Sequence, residues 1–151
     1  SEQMLLDIER QVNESVTKGA KILAGGARVG TRGFFFAPTV LSGVQKGVPA
    51  FDEELFGPVL PIITFATEDE AIALANDTPY GLGATIFTKN TAKAEKLAAR
   101  IDSGCVFINS PVKSDPRLPF GVVKKSGYGR ELSHYGIKEF VNIKTISISR
   151  V

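Results

Sequence analysis

With 151 residues, 43% of them apolar, and 18 basic against 16 acidic side chains for a net charge of +2, the chain has the material for one ordinary soluble domain with a real core. Basic residues are interleaved with acids, which argues against nucleic acid as a partner, and the single cysteine, Cys105, excludes an intramolecular disulfide and a cysteine-rich metal site. No apolar run approaches membrane-spanning length and residues 1–20 lack a signal-peptide pattern, so a cytoplasmic protein is expected.

In chain order, Leu5, Ile8, Val12 and Val16 recur at spacings of three and four, which predicts an amphipathic helix from Glu2 to a stop at Lys18-Gly19. Lys21 to Ala24 reads as a short strand ended by Gly25-Gly26. Phe34 to Leu41 reads as extended, with Pro38 marking an edge or an interruption. Val59 to Phe65 is a short β-branched run behind the Gly57-Pro58 turn and predicts a buried strand. A helix then begins at Thr67 or Glu68, with Ala71, Ile72 and Ala75 on its inner side, and ends near Asn76-Asp77-Thr78-Pro79. Gly83 to Thr88 is the next strand, Thr91 to Ile101 the next helix with Ala94, Leu97, Ala98 and Ile101 inward, and Cys105 to Asn109 the strand after it. Strands alternating with helices imply right-handed β-α-β units, hence an α/β fold with a mainly parallel sheet and flanking helices. No repeat or linker divides the chain, so one domain is the default. The tail, Phe140 to Ile148, has the period of two of a strand that needs a partner, and no hairpin partner lies just upstream.

Two segments are too irregular for core and have the character of site-shaping loops, and a third block lies between them in the chain. Pro119-Phe120-Gly121-Val122-Val123-Lys124-Lys125-Ser126-Gly127-Tyr128-Gly129-Arg130-Glu131 combines an apolar Pro-Phe with glycines and cations. Asp52-Glu53-Glu54-Leu55-Phe56-Gly57-Pro58-Val59 sets acids beside an aromatic, and Asn76 to Leu82 reads Asn-Asp-Thr-Pro-Tyr-Gly-Leu. Together and in this order they resemble the C-terminal part of the aldehyde dehydrogenase superfamily, from about Leu5 to the C-terminus. Lys113-Ser114-Asp115-Pro116 and the ending Glu139-Phe140-Val141-Asn142-Ile143-Lys144-Thr145 look like the bacterial short-form succinate-semialdehyde dehydrogenases.

The resemblance implies residues 1–137 as a partial catalytic domain and 138–151 as a strand of an oligomerisation sheet, in a homo-oligomer (dimer or tetramer) of the full-length protein. It implies NAD or NADP as cofactor and a semialdehyde, succinic semialdehyde first, as the small-molecule substrate. Aldehyde oxidation needs a thiolate, a nicotinamide to accept hydride and a base to activate water. The family's nucleophilic cysteine and general-base glutamate map to no position here, so no catalytic residue is assigned and this chain alone is expected to be inactive. Two alternatives stay open: a non-catalytic α/β interaction module that pairs through its terminal strand, and a dehydrogenase of uncharged or betaine-type aldehydes.

Glu54 and Phe56 are the first candidates. A carboxylate can accept both hydroxyl protons of a ribose, and an adjacent aromatic supplies an apolar wall for a nicotinamide. The pattern alone favours a solvated acidic turn; only the resemblance assigns the two residues to cofactor binding. Likewise it places Phe120 on the wall of the aldehyde tunnel and Ser114 where the family selects substrate. With Lys113 and Arg117 nearby, a carboxylate at the far end of the aldehyde can be bound there, or the two cations simply solvate the loop.

Val122 stands where the family usually has a second glycine, and would be strained if that position required positive φ. Cys105 has an apolar strand context with no adjacent base and reads as a core cysteine, and His134 reads as a surface residue. Gly81-Leu82-Gly83 and Gly127-Tyr128-Gly129 lack the third glycine of a dinucleotide fingerprint, so the pyrophosphate is expected to bind elsewhere. Arg130-Glu131 is expected to fix the glycine-rich loop through ion pairing and capping.

Overall fold

Helix α1 (Glu2–Thr17) forms where the three-and-four spacing predicts it and buries Leu5, Ile8 and Val12. Val16 is exposed, because the buried stripe also takes in Gln11 and Ser15 and is therefore centred roughly 75° away from Val16 on a helix that turns about 100° per residue. Ser15 fits this apolar face because its hydroxyl is satisfied. Oγ donates to the carbonyl of Gln11 at 2.7 Å and accepts from the amide of Ala50 at 2.9 Å.

The computed structural model describes residues 1–150 and falls into two units, Ser1–Thr67 and one that begins at Glu68. In the first unit α1 is followed by β1 (Lys21–Ala24), β2 (Thr39–Ser42), α2 (Pro49–Asp52) and β3 (Val59–Pro61). Strand β2 is central, antiparallel to β1 and parallel to β3, with Thr39, Val40 and Leu41 opposite Val59, Leu60 and Pro61. Leu41 is fully buried among Val12, Ala20, Val44, Val48 and Ala50, with Phe36, Phe51, Leu55, Val59 and Ile63 packed around them. The buried strand expected over Val59 to Phe65 is shorter and only half covered. Pro61 has no amide to donate, one further bond from Ile62 to the Leu41 carbonyl closes the ladder, and Leu60 points outward with 61% of its surface exposed.

The second unit runs α3 (Glu68–Asn76), β4 (Tyr80–Gly81), β5 (Gly83–Ile86), α4 (Thr91–Ala98), β6 (Cys105–Ile108), β7 (Phe120–Gly121), β8 (Val123–Lys124), β9 (Arg130–Glu131) and α5 (Ser133–Lys138). Strands β5 and β6 pair in parallel from Gly83 with Cys105 to Ile86 with Ile108, and α4 between them packs on β6. This is the expected β-α-β unit. Ala94 on α4 is fully buried, and the Asn90 side chain caps the helix by accepting from the amide of Lys93 at 3.0 Å. On α3, Ala71 and Ile72 are half-buried while Ala75 is exposed.

The class is α/β, with parallel pairing confined to β2 with β3 and β5 with β6. The glycine-rich segment contributes two small antiparallel pairs, β4 with β8 and β7 with β9. Residues 142–150 join no described strand, and Phe140, Ile143, Ile146 and Ile148 are all exposed. Among the described residues no helix is long and apolar enough to cross a membrane.

Candidate functional site

Glu54 sits just past α2, in chain that α1 holds in place. The Glu53 carboxylate accepts from Arg10 Nη2 at 2.7 Å, Arg10 Nη1 at 3.4 Å and Gln11 Nε2 at 2.9 Å; the same Gln11 amide reaches the Glu54 carbonyl at 3.1 Å. These bonds, Arg10 first and Gln11 second, hold the Glu53 carboxyl below the usual carboxylate range. With Glu53 and the backbone so engaged, the Glu54 carboxylate is exposed and has no protein hydrogen-bond partner among the described residues. It lines a cleft of about 360 Å³ with the exposed Phe56 ring, Ile8, Arg10 and Gln11. An unpartnered carboxylate beside an aromatic face fits a ribose with an attached flat ring. Sequence reasoning missed Gln11, a polar residue inside the buried stripe of α1, and Arg10, an exposed one beside it in sequence.

Phe120 belongs to β7 and not to open loop, and β7 is fixed from three sides. Phe120 and Gly121 pair with Glu131 and Arg130 of β9. Arg130 Nη1 donates to the carbonyls of Val122 at 2.9 Å and Gly129 at 2.7 Å, so the arginine ties the loop through main-chain oxygens, where ion pairing and capping had been expected. Gly104, just before β6, approaches so closely that a Cβ there would lie 1.9 Å from the Gly121 carbonyl oxygen. Beyond β7, Val122 causes no strain: positive φ among the described non-glycine residues occurs at Asn109, Lys124, Leu132 and Ser133 only.

The Asn76 to Leu82 block braces the same unit. The Asn76 side chain donates to the Arg100 carbonyl and accepts from the Asp102 amide, both at 2.8 Å, while its own carbonyl accepts from Lys124 Nζ at 2.9 Å. The Gly81 amide donates to Ser126 Oγ at 3.0 Å. Two side chains, Asn76 and Lys124, thus tie the end of α3 to the chain just past α4 and to β8.

Phe120 lines a cleft of about 460 Å³ with Lys113, Asp115, Leu118, Ser110 and Cys105. Ser114 is exposed and outside that lining, whereas both of its neighbours are inside it. Arg117 is forked onto Asp115, with Nε and Nη2 at 2.9 and 2.6 Å, and this pairing holds the Asp115 carboxyl well below the usual carboxylate range. Cys105 is half-buried; its Sγ donates to the Leu82 carbonyl at 3.2 Å, and burial pushes the thiol up from its ordinary value. His134 is exposed, its ring 4.1 Å from that of Tyr135.

Residues 1–146 match the aldehyde dehydrogenase family. The chain is 47% identical over 146 residues to the succinate-semialdehyde dehydrogenase (NADP+) of Deinococcus radiodurans, covering 97% of this chain and 31% of that protein. Among solved structures it is similar to succinic semialdehyde dehydrogenase from Streptococcus pyogenes in complex with NADP+, with a TM-score of 0.95, 44% identity, and coverage of 99% of this chain and 33% of that one. Betaine aldehyde dehydrogenase from Staphylococcus aureus in complex with NAD+ is similar at a TM-score of 0.87 and 38% identity, covering 93% of this chain and 29% of that one. The chain spans about a third of the length of the relatives it matches.

Proposed function

The chain belongs to the aldehyde dehydrogenase family, and on that footing we propose that it is the C-terminal portion of an NAD(P)-dependent enzyme that oxidises a semialdehyde, succinic semialdehyde first, to the carboxylic acid. The observation that carries the reading is the Glu54 carboxylate, exposed, without a protein partner and beside the Phe56 ring in one cleft. Glu54 accepts the two hydroxyls of the nicotinamide ribose and Phe56 walls the ring, while Arg10 and Gln11 keep the acidic segment in register by engaging Glu53. The nicotinamide, when bound, supplies the hydride acceptor. Phe120 excludes water from the aldehyde end, and Ser114 with its neighbours faces the distal group of the substrate. The nucleophilic thiol and the base come from polypeptide beyond this chain.

In this reading residues 1–137 are part of a catalytic domain. Residues 138–151, of which Val151 lies outside the described residues, belong to an oligomerisation sheet in a cytoplasmic homodimer or homotetramer, and the exposed apolar residues Phe140, Ile143, Ile146 and Ile148 support that role. The similarity to betaine aldehyde dehydrogenase favours a second reading, oxidation of an aldehyde without a carboxylate. Turnover of succinic semialdehyde compared with an uncharged aldehyde of equal length, on the complete polypeptide, separates the two: preference for the acid is expected, and equal turnover refutes the semialdehyde assignment. This chain incubated alone with either aldehyde and NAD(P)+ is expected to yield no reduced cofactor.

A further inference from the structure

Two cations stand in the loop before Phe120, and the structure treats them differently. Asp115 accepts from the Arg117 backbone amide at 2.9 Å, from its Nε at 2.9 Å and from its Nη2 at 2.6 Å, which commits the guanidinium to one carboxylate. The turn that allows this is closed by the amide of Leu118 on the Asp115 carbonyl, and the carbonyl of Pro116 accepts from Ser133. Asp115 is the inner partner, with 21% of its side chain exposed against 85% for Arg117. Lys113 lines the cleft with Phe120 and has no hydrogen-bond or ion-pair partner among the described residues. The Lys113 charge also bears on Asp115, and with Asp115 forked to Arg117 the three side chains together leave one net positive charge beside the cleft.

We propose that Lys113 is the residue that recognises the distal carboxylate of the substrate, and that Arg117 works as a positioning residue that neutralises Asp115 so that an anion can approach. The inference rests on the semialdehyde reading and names the group that discriminates. Arg117 spends Nε and Nη2 on Asp115 and does not line the cleft, so the second carboxylate ligand that its place in the sequence suggests is not assigned to it.

The test uses the complete polypeptide and the ratio of kcat/KM for succinic semialdehyde to that for an uncharged aldehyde of equal length. An exposed ion pair at the strong end of its usual range corresponds to about a fivefold effect. K113M is expected to lower the ratio about fivefold through KM for the acid alone. R117Q is expected to lower it as well, by unmasking Asp115, and D115N/R117Q to restore it, which a merely structural role for the pair would not produce. A ratio unmoved in K113M, or a double variant as poor as R117Q, overturns the proposal. Succinate binding gives a readout independent of turnover: millimolar succinate is expected to slow acylation of Lys113 Nζ by an amine-reactive ester, followed by peptide mass spectrometry. Protection supports the anion site even if no aldehyde is turned over, a result that would sink the activity reading alone. Absence of protection overturns the anion site.

Discussion

Replacing Gly104 by alanine sets a methyl group against main chain. A Cβ at Gly104 would lie 1.9 Å from the Gly121 carbonyl oxygen, 2.5 Å from its carbonyl carbon and 2.9 Å from the Val122 amide nitrogen. Carbon and oxygen sit comfortably at roughly 3.3 Å, so the two segments must part by more than about 1 Å. All three atoms are backbone, so no rotamer change relieves the contact, and the segment that moves carries Phe120. Gly104 is not in the left-handed region, so the cost is steric, on the order of 1–3 kcal/mol for overpacking. Gly30 is the control, with φ +72 and nothing within 4 Å of the place a methyl group would take, so alanine there costs about 1–2 kcal/mol of backbone strain and nothing in packing. The assay is urea unfolding of both variants of the complete polypeptide together with KM for the aldehyde. G104A is expected to lose stability and raise KM, and G30A to lose stability alone. A G104A protein with wild-type stability and KM refutes the claim that this backbone approach positions Phe120.

Other perturbations follow the same logic. S15A leaves the buried amide of Ala50 without its acceptor and is expected to cost about 1–3 kcal/mol in urea unfolding, and wild-type stability would show that the bond contributes nothing. L41A empties the centre of the first unit and is expected to cost about 2–5 kcal/mol by the same measurement, with a loss below that range placing the core elsewhere. Because the folded Glu53 carboxyl titrates below its ordinary value of 4.5, its stabilising contribution is complete above that pH and is lost as pH falls through the lowered value. The stability difference between wild type and E53Q is therefore expected to shrink on acidification, and a constant difference refutes the pairing with Arg10. Burial raises the Cys105 thiol above its ordinary value of 9.0, so its alkylation by iodoacetamide is expected to stay slow at neutral pH and to accelerate only above that value.

The elements that local pattern alone specifies were legible in the sequence: the stripe of α1, the strand Lys21–Ala24, and the β5-α4-β6 unit with its parallel register. Misjudged positions lie where tertiary context decides. Val16 and Ala75 satisfy helical spacing but face solvent, and Val59 to Phe65 reads as buried because a short apolar run does not announce that only one face of its sheet is covered. At the site, Glu54 and Phe56 could be named from their motif, and the structure sets them in one cleft. The grip of Arg10 and Gln11 on Glu53 spans more than forty residues of sequence, and the Asp115–Arg117 fork depends on a turn no spacing rule specifies. The small pairs β4 with β8 and β7 with β9 were also hidden, since a two-residue strand carries no periodicity.

The central claim is that Glu54 holds the nicotinamide ribose of an aldehyde dehydrogenase, and its most direct test is reduction of NAD(P)+ by the complete polypeptide with succinic semialdehyde, wild type against E54Q. Loss of a charge-assisted pair of hydrogen bonds worth about 1.5–3 kcal/mol predicts a fall in kcat/KM of roughly tenfold to a hundredfold, with the fold and the thiol intact. Cofactor reduction by E54Q at the wild-type rate, at every cofactor concentration, would contradict the account.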